Sequence, residues 1–166
     1  GDAPNFDGPD SAPVREFFAG NAGYWIAEYR FDGLRLDATH RIYDDSEDHI
    51  LAMIARSVRA AAGWRHSFVA AENDAQIARA ARPPETGGYG LDAIWNDDFH
   101  HAARVALTGR REFYYRDFTG RAGEFVALAK HGFLFQGQGK SARGTPALDL
   151  PGSAFVVYLQ NHDQIG

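Results

Sequence analysis

The sequence predicts an α/β fold built on a parallel sheet, amounting to about half of a (β/α)8 TIM barrel. Three observations lead there. Short strand-like apolar runs alternate with helical periodicities along the chain, an order that implies parallel pairing through right-handed crossovers. Polar residues, acids above all, gather at the carboxyl ends of several of these runs, where barrel enzymes keep their chemistry. The chain has 166 residues, against the roughly 250 of a whole barrel. A doubly wound sheet is the competing architecture, and the gathering of polar residues at strand ends favours the barrel.

Each element has its own warrant. Residues 1–10 are rich in Gly, Pro, Asp and Asn and read as a loop. Asp10 or Ser11 caps a helix whose first turn suits Pro13. Val14, Phe17, Phe18, Ala22, Trp25, Ile26 and Tyr29 recur at helical spacing as its expected apolar stripe. Asp32-Gly33 then turns the chain into a strand, Leu34 to Asp37. Ser46 is the expected cap of a second helix striped by Ile50, Leu51, Ile54, Ala55, Val58 and Ala62 and closed near Gly63. Ser67 to Glu72 reads as the second strand, 74–82 as a short helix, and Leu91 to Trp95 as the third strand. Asn96 or Asp97 caps a helix from Phe99 to Leu107, stopped by Gly109. An irregular aromatic stretch over 110–120 and a helix from Ala122 to His131 follow. Residues 136–153 form a Gly-rich loop, and Ala154 to Leu159 form the fourth strand.

Composition narrows the function. With 45% hydrophobic residues, the chain can bury one sizeable core. The net charge of −5 and the lack of a basic run argue against nucleic acid as a partner. No apolar run approaches the roughly 20 residues of a membrane helix, and the first residues lack the apolar core of a signal peptide. Absence of cysteine excludes disulfides and thiolate metal sites and fits a cytoplasmic protein. The sole methionine, Met53, lies inside a helical pattern. The expectation is therefore an excerpt, residues 1–166 being one piece of a single barrel that lacks its first strands and its last.

The chemistry is expected where strands end. Side chains alternate along a strand, so Arg35 and Asp37 share one face and Leu34 and Leu36 the other. Taken alone, Arg35 and Asp37 read as a structural ion pair. Glu72 ends the second strand, and Asp163 lies just past the fourth with His162 beside it. Three carboxylates at strand ends that open on one face suit glycoside hydrolysis: one attacks the anomeric carbon, one protonates the leaving oxygen, and one stabilises the oxocarbenium-like transition state. No cofactor is needed.

The same residues carry a resemblance. GLRLDATH, VAAEN and LQNHDQ resemble three motif regions of the α-amylase family of glycoside hydrolases. The resemblance implies a (β/α)8 barrel, of which this chain covers about the fourth to seventh β/α units, and a retaining double displacement. It implies Asp37 as nucleophile, Glu72 as general acid/base and Asp163 as the transition-state acid. Arg35 orients Asp37, and His162 contacts the sugar at the cleaved bond. WNDDFHHA, with NFDGP and NHDQIG, is similar to a trehalose-releasing branch of the family, which implies an α-glucan oligosaccharide cut beside a terminal trehalose. Branching and debranching enzymes share the three acids, and a non-catalytic α-glucan-binding barrel is the remaining alternative. The family's earlier Asn-His motif is absent, and so is the eighth strand.

Further substrate-binding candidates are His40, Asp97, Asp98, His100, His101 and Gln164. Asp97 and His101, at i and i+4, share a helix face, too few ligands for zinc. Enrichment of a helix N-terminus in Asp for its dipole is the alternative there. Gly137 to Ser141 resembles a phosphate loop, but Leu134 stands where that pattern needs glycine. Tyr89, Trp95, Tyr114 and Tyr115 are candidates for stacking on sugars or for packing. Trp25 and Trp64 are expected in the core or at its edge, and His49, His66 and His131 at the surface or at helix ends.

Overall fold

A computed structural model describes residues 3–138 and 143–164. The chain forms two compact units. One takes the residues up to Asn73 together with Arg79–Ala93; the other takes Asp74–Ala78 and the residues from Ile94 onward.

The first unit opens with α1 (Ala12–Ala27), which carries Pro13 in its first turn. Its buried side is narrow: Ala19, Ala22 and Ile26 are inside, whereas Phe17, Tyr24 and Tyr29 are at least half exposed. The expected stripe is thus only partly the core-facing side. α1 packs on α2 (Ile50–Ala62), and Gly23 lets the two helices meet: a Cβ there would lie 2.8 Å from the Ser57 hydroxyl. The apolar stripe predicted for α2 is buried throughout. Its cap differs from expectation. His49, not Ser46, is the N-cap, its Nδ1 accepting from the Leu51 N–H. Ser46 is turned to the Asp44 carboxylate instead. Trp64, expected in the core or at its edge, is 92% exposed beyond the end of α2.

β1 (Gly33–Leu36) and β2 (Phe68–Ala71) pair in parallel, Gly33 opposite Phe68 and Leu36 opposite Ala71. Gly33 is required there, since a Cβ would fall 2.0 Å from the Phe68 carbonyl oxygen. Asp92 secures β2 from the other side in sequence, its carboxylate accepting from the Val69 N–H at 2.7 Å. A 3-10 turn over Ala78–Ala81 replaces the short helix expected at 74–82.

β3 (Ala93–Trp95) carries the chain into the second unit, where it pairs in parallel with β4 (Phe155–Val156). β4 is far shorter than the predicted strand; beyond it, polar contacts to side chains take over from the ladder. α3 (Asp97–Thr108) is capped by Asn96, as expected, and closes on Gly109. α4 (Ala122–His131) matches its prediction residue for residue. Gly132, at φ +80°, ends it, and a Cβ there would sit 2.2 Å from the Phe155 ring. The core of this unit is Ala102, Val105, Phe118 and Leu128. Gly139, Lys140 and Ser141 of the phosphate-loop resemblance lie outside the described residues. Among the described residues, no helix is long and apolar enough to cross a membrane.

Candidate active site

The register of the first unit explains how two acids meet. Leu36 is level with Ala71, so one further step along each strand brings Asp37 level with Glu72. Both acids sit just past the carboxyl ends of their strands. The ladder continues one rung further, with the Glu72 N–H donating to the Leu36 carbonyl at 2.9 Å. Arg35 lies beneath the pair. One guanidinium nitrogen donates to Asp37 Oδ1, and the other stands 3.7 Å from Glu72 Oε2. The single cation therefore spans both carboxylates. The Asp37 side chain remains 76% exposed, while that of Glu72 is 23% exposed. Such an arrangement leaves one carboxylate open to a ligand and shelters the other.

The turn after Asp37 returns to Glu72. Ala38 adopts the left-handed conformation at φ 43°, and its N–H donates to Glu72 Oε2. Thr39, buried, donates to the Glu72 carbonyl from its backbone N–H at 2.9 Å and from its hydroxyl at 2.8 Å. Sequence reading singled out neither residue. Alanine carries no signal for positive φ, and a threonine after a strand reads as an ordinary cap. His40 follows in the same short 3-10 turn, half-buried.

In the second unit, His162 and Asp163 are paired, Nε2 to Oδ2 at 3.1 Å, and both side chains are more than half exposed. Asn161 shapes this bend, its side-chain oxygen accepting from the N–H groups of Asp163 and Gln164 at 3.0 and 2.8 Å. His162 stands edge-on to Trp95 at 6.2 Å between centroids. Asp37 and Glu72 belong to one unit and Asp163 to the other.

Asp97, Asp98, His100 and His101 are all buried in α3, none more than 3% exposed. Their partners are protein groups. The Tyr158 hydroxyl donates to Asp97, and His100 Nδ1 bonds the Leu159 carbonyl at 2.7 Å. Asp98 accepts from the N–H groups of Leu134 and Phe135, both at 2.9 Å, and its other oxygen lies 3.4 Å from Arg143. Burial pushes the Asp98 carboxyl up, opposed by Arg143 and the two N–H groups. Burial also lowers both histidines, His101 to about 3 with the cations Arg143 and Arg104 adding to the effect. Both are neutral at pH 7. Arg143, missed in the sequence, also pairs with Asp74 at 3.1 Å; it lies far along the chain from Asp98, and no local pattern announces it.

Of the aromatic candidates, Tyr89 stacks on His49 at 4.0 Å, and Tyr115 packs edge-on to His101 with Arg104 over its face. Trp95 meets Tyr158 as well as His162, and Tyr114 is exposed. Among the described residues, no group of three or more His, Asp or Glu is arranged to hold a metal.

Comparison with known proteins bears on this geometry. No family model matches the chain. The malto-oligosyltrehalose trehalohydrolase of Saccharolobus solfataricus is 45% identical over 98% of the chain and 29% of its own length. A 1,4-α-glucan branching enzyme of a Shewanella species is 24% identical over 84% of the chain and 22% of its length. A solved structure of a putative α-amylase from Salmonella typhimurium superposes with a TM-score of 0.81 at 36% identity, over 95% of this chain and 28% of that one.

Its parallel α/β fold is consistent with part of a (β/α)8 barrel, and the chain is similar to glycoside hydrolases of the α-amylase family. Within that family it is similar along nearly its whole length to the malto-oligosyltrehalose trehalohydrolases. The chain spans about 29% of the length of that relative.

Proposed function

We propose that this chain is part of the catalytic barrel of an enzyme that hydrolyses the α-1,4 bond next to the terminal trehalose of malto-oligosyl trehalose and releases trehalose. The observation that carries the reading is the Arg35 guanidinium spanning Asp37 and Glu72 at neighbouring strand ends. Retaining hydrolysis needs two carboxylates about 5–5.5 Å apart, and a single guanidinium that reaches both keeps them near each other. Asp37, open to solvent, attacks the anomeric carbon, and the bond to the trehalose oxygen breaks as Glu72 delivers a proton to it. Water then attacks the glycosyl-enzyme, giving its proton back to Glu72. Arg35 orients the Asp37 carboxylate for attack. The family pattern gives Asp163 the transition-state role and makes His162, His40 and Gln164 sugar contacts.

Asp97, Asp98, His100 and His101 are proposed to act at the sugar site through the backbone and side chains that they hold, given their burial. The chain is read as one piece, 1–166, of a single barrel. Lack of cysteine supports a cytoplasmic home. The two-carboxylate route calls for no cofactor.

The test uses the full-length protein with malto-oligosyl trehalose and with starch. Free trehalose from the first, with no branching of the second, is the expected result; new α-1,6 branches would assign it to the branching enzymes. Asp37→Asn is expected to lower turnover by at least about 10³-fold while oligosaccharide binding persists. An undiminished rate in that variant removes Asp37 as nucleophile. Oligosaccharide binding without any bond cleavage by the parent identifies a non-catalytic binder.

A further inference from the structure

We propose that the Ala38–Thr39 turn is a positioning clip that sets the separation of the nucleophile from the acid/base, with Thr39 as its fastening residue. The proposal rests on the reading of Asp37 and Glu72 given above.

Glu72 is held at three points by the segment that also carries Asp37. Its N–H donates to Leu36, its carbonyl accepts both the N–H and the hydroxyl of Thr39, and its carboxylate accepts the Ala38 N–H. Only the first of these is the ordinary rung of a parallel ladder. The other contacts exist because the chain turns at Ala38 through a left-handed conformation, which is unfavourable for an alanine. That cost is tolerated when surrounding bonds fix the turn.

The consequence is mechanical. Strand pairing stops at Leu36 and Ala71 apart from one last rung at the Glu72 N–H, so the sheet itself fixes neither Asp37 nor the Glu72 carbonyl and carboxylate. The clip extends order past the strand ends to the two acids. Thr39 is 3% exposed and far from any solvent role; both of its donors go to one carbonyl, that of Glu72. A hydroxyl with an otherwise satisfied acceptor adds little as a generic stabiliser. Its effect is directional: it pins the peptide from which the Glu72 side chain departs. Displacement of a reacting group by about 1 Å can cost 100-fold in rate.

In the full-length enzyme acting on malto-oligosyl trehalose, Thr39→Val removes the hydroxyl at nearly constant volume. The expected result is a kcat at least about tenfold lower with KM within about twofold, while Thr39→Ser recovers most of the loss. Thermal unfolding is followed in parallel. Loss of thermal stability in Thr39→Val with kcat unchanged in the folded fraction overturns the proposal, as does a rise in KM at constant kcat. If Thr39→Val does not fold, Thr39→Ala is measured by the same criteria. Asp37→Asn is the companion variant. If it stays active, the reading of the acids has failed; if it is inactive while Thr39→Val, or Thr39→Ala in its place, matches the parent, the clip alone has failed.

Discussion

A histidine buried without a proton makes stability depend on pH. His101 is 2% exposed, lies against Tyr115 and Phe118, and has its pKa depressed to about 3 by burial and by nearby arginines. Unfolded, it titrates near 6.5. As pH falls below 6.5 the unfolded chain takes up a proton that the folded chain refuses, so stability is lost progressively until about pH 3. Each unit of difference is worth about 1.4 kcal/mol, so this residue alone removes roughly 2 kcal/mol between pH 7 and pH 5. His101→Phe, which keeps a ring among rings, is expected to flatten that dependence. Thermal midpoints of the full-length protein at pH 7 and pH 5 check it: an equal drop in parent and variant would show that the acid sensitivity arises elsewhere. His100, lowered in the same direction by burial, leaves a smaller residual slope. In the sequence these two histidines looked like sugar ligands because a polar run at a helix start gives no sign of depth. Only the fold places them inside.

At the scale of elements, the N-terminus of α2 depends on Asp44. Its carboxylate accepts from the Ile50 N–H at 2.5 Å and from Arg15 of α1 at 2.8 Å, with Ser46 on its other oxygen. Burial alone would raise this carboxyl; the bonds from Ser46, from the Ile50 and Ser46 N–H groups and from Arg15 outweigh it, and the net shift is downward. The stability it supplies is therefore present above pH 4 and is lost as pH falls through the lowered folded value. Arg15 also reaches the Phe6 carbonyl at 2.6 Å, so one carboxylate ties the opening loop, α1 and α2 together. Asp44→Ala takes the acceptor from the buried Ile50 N–H and the carboxylate from Arg15 and is expected to cost about 3–5 kcal/mol, read from chemical denaturation of the full-length protein. A loss under 1 kcal/mol would show that water or Ser46 replaces the carboxylate. The helices themselves were legible from local signals: apolar periodicity and a closing glycine for α2, a cap residue and a closing glycine for α3, and a closing glycine for α4. The sequence misplaced the cap of α2 because Ser46 is a good cap by type, whereas the fold recruits it to Asp44 and leaves His49 at the helix start. It also lengthened β4, since AFVVYL has strand propensity throughout but Tyr158 and Leu159 are engaged by Asp97 and His100. That Asp37 and Glu72 end neighbouring strands was readable from the runs around them. The clip that joins them was not, because a left-handed alanine is imposed by its surroundings.

On the scale of the whole molecule, large apolar groups stand in the open in both units. In the first unit Phe17, Tyr24, Tyr29 and Phe31 are about half exposed or more, and Trp25 stacks on Phe31 in a parallel pair 5.7 Å apart. In the second, Leu107, Phe113 and Tyr114 are each more than 70% exposed. Soluble monomers rarely leave large apolar groups clustered in the open, and the relative from Saccharolobus solfataricus has more than three times as much chain with which to cover them. The isolated 166 residues are therefore expected to associate as concentration rises and to release no trehalose from malto-oligosyl trehalose. Association hides apolar surface without rebuilding a sugar site, so the two outcomes belong together. Size-exclusion chromatography with light scattering over a hundredfold range of concentration measures the first, and an assay for free trehalose the second. A monodisperse monomer would mean that these aromatic faces are tolerated in water, and turnover by the fragment would mean that the residues present already bind and cut the oligosaccharide unaided.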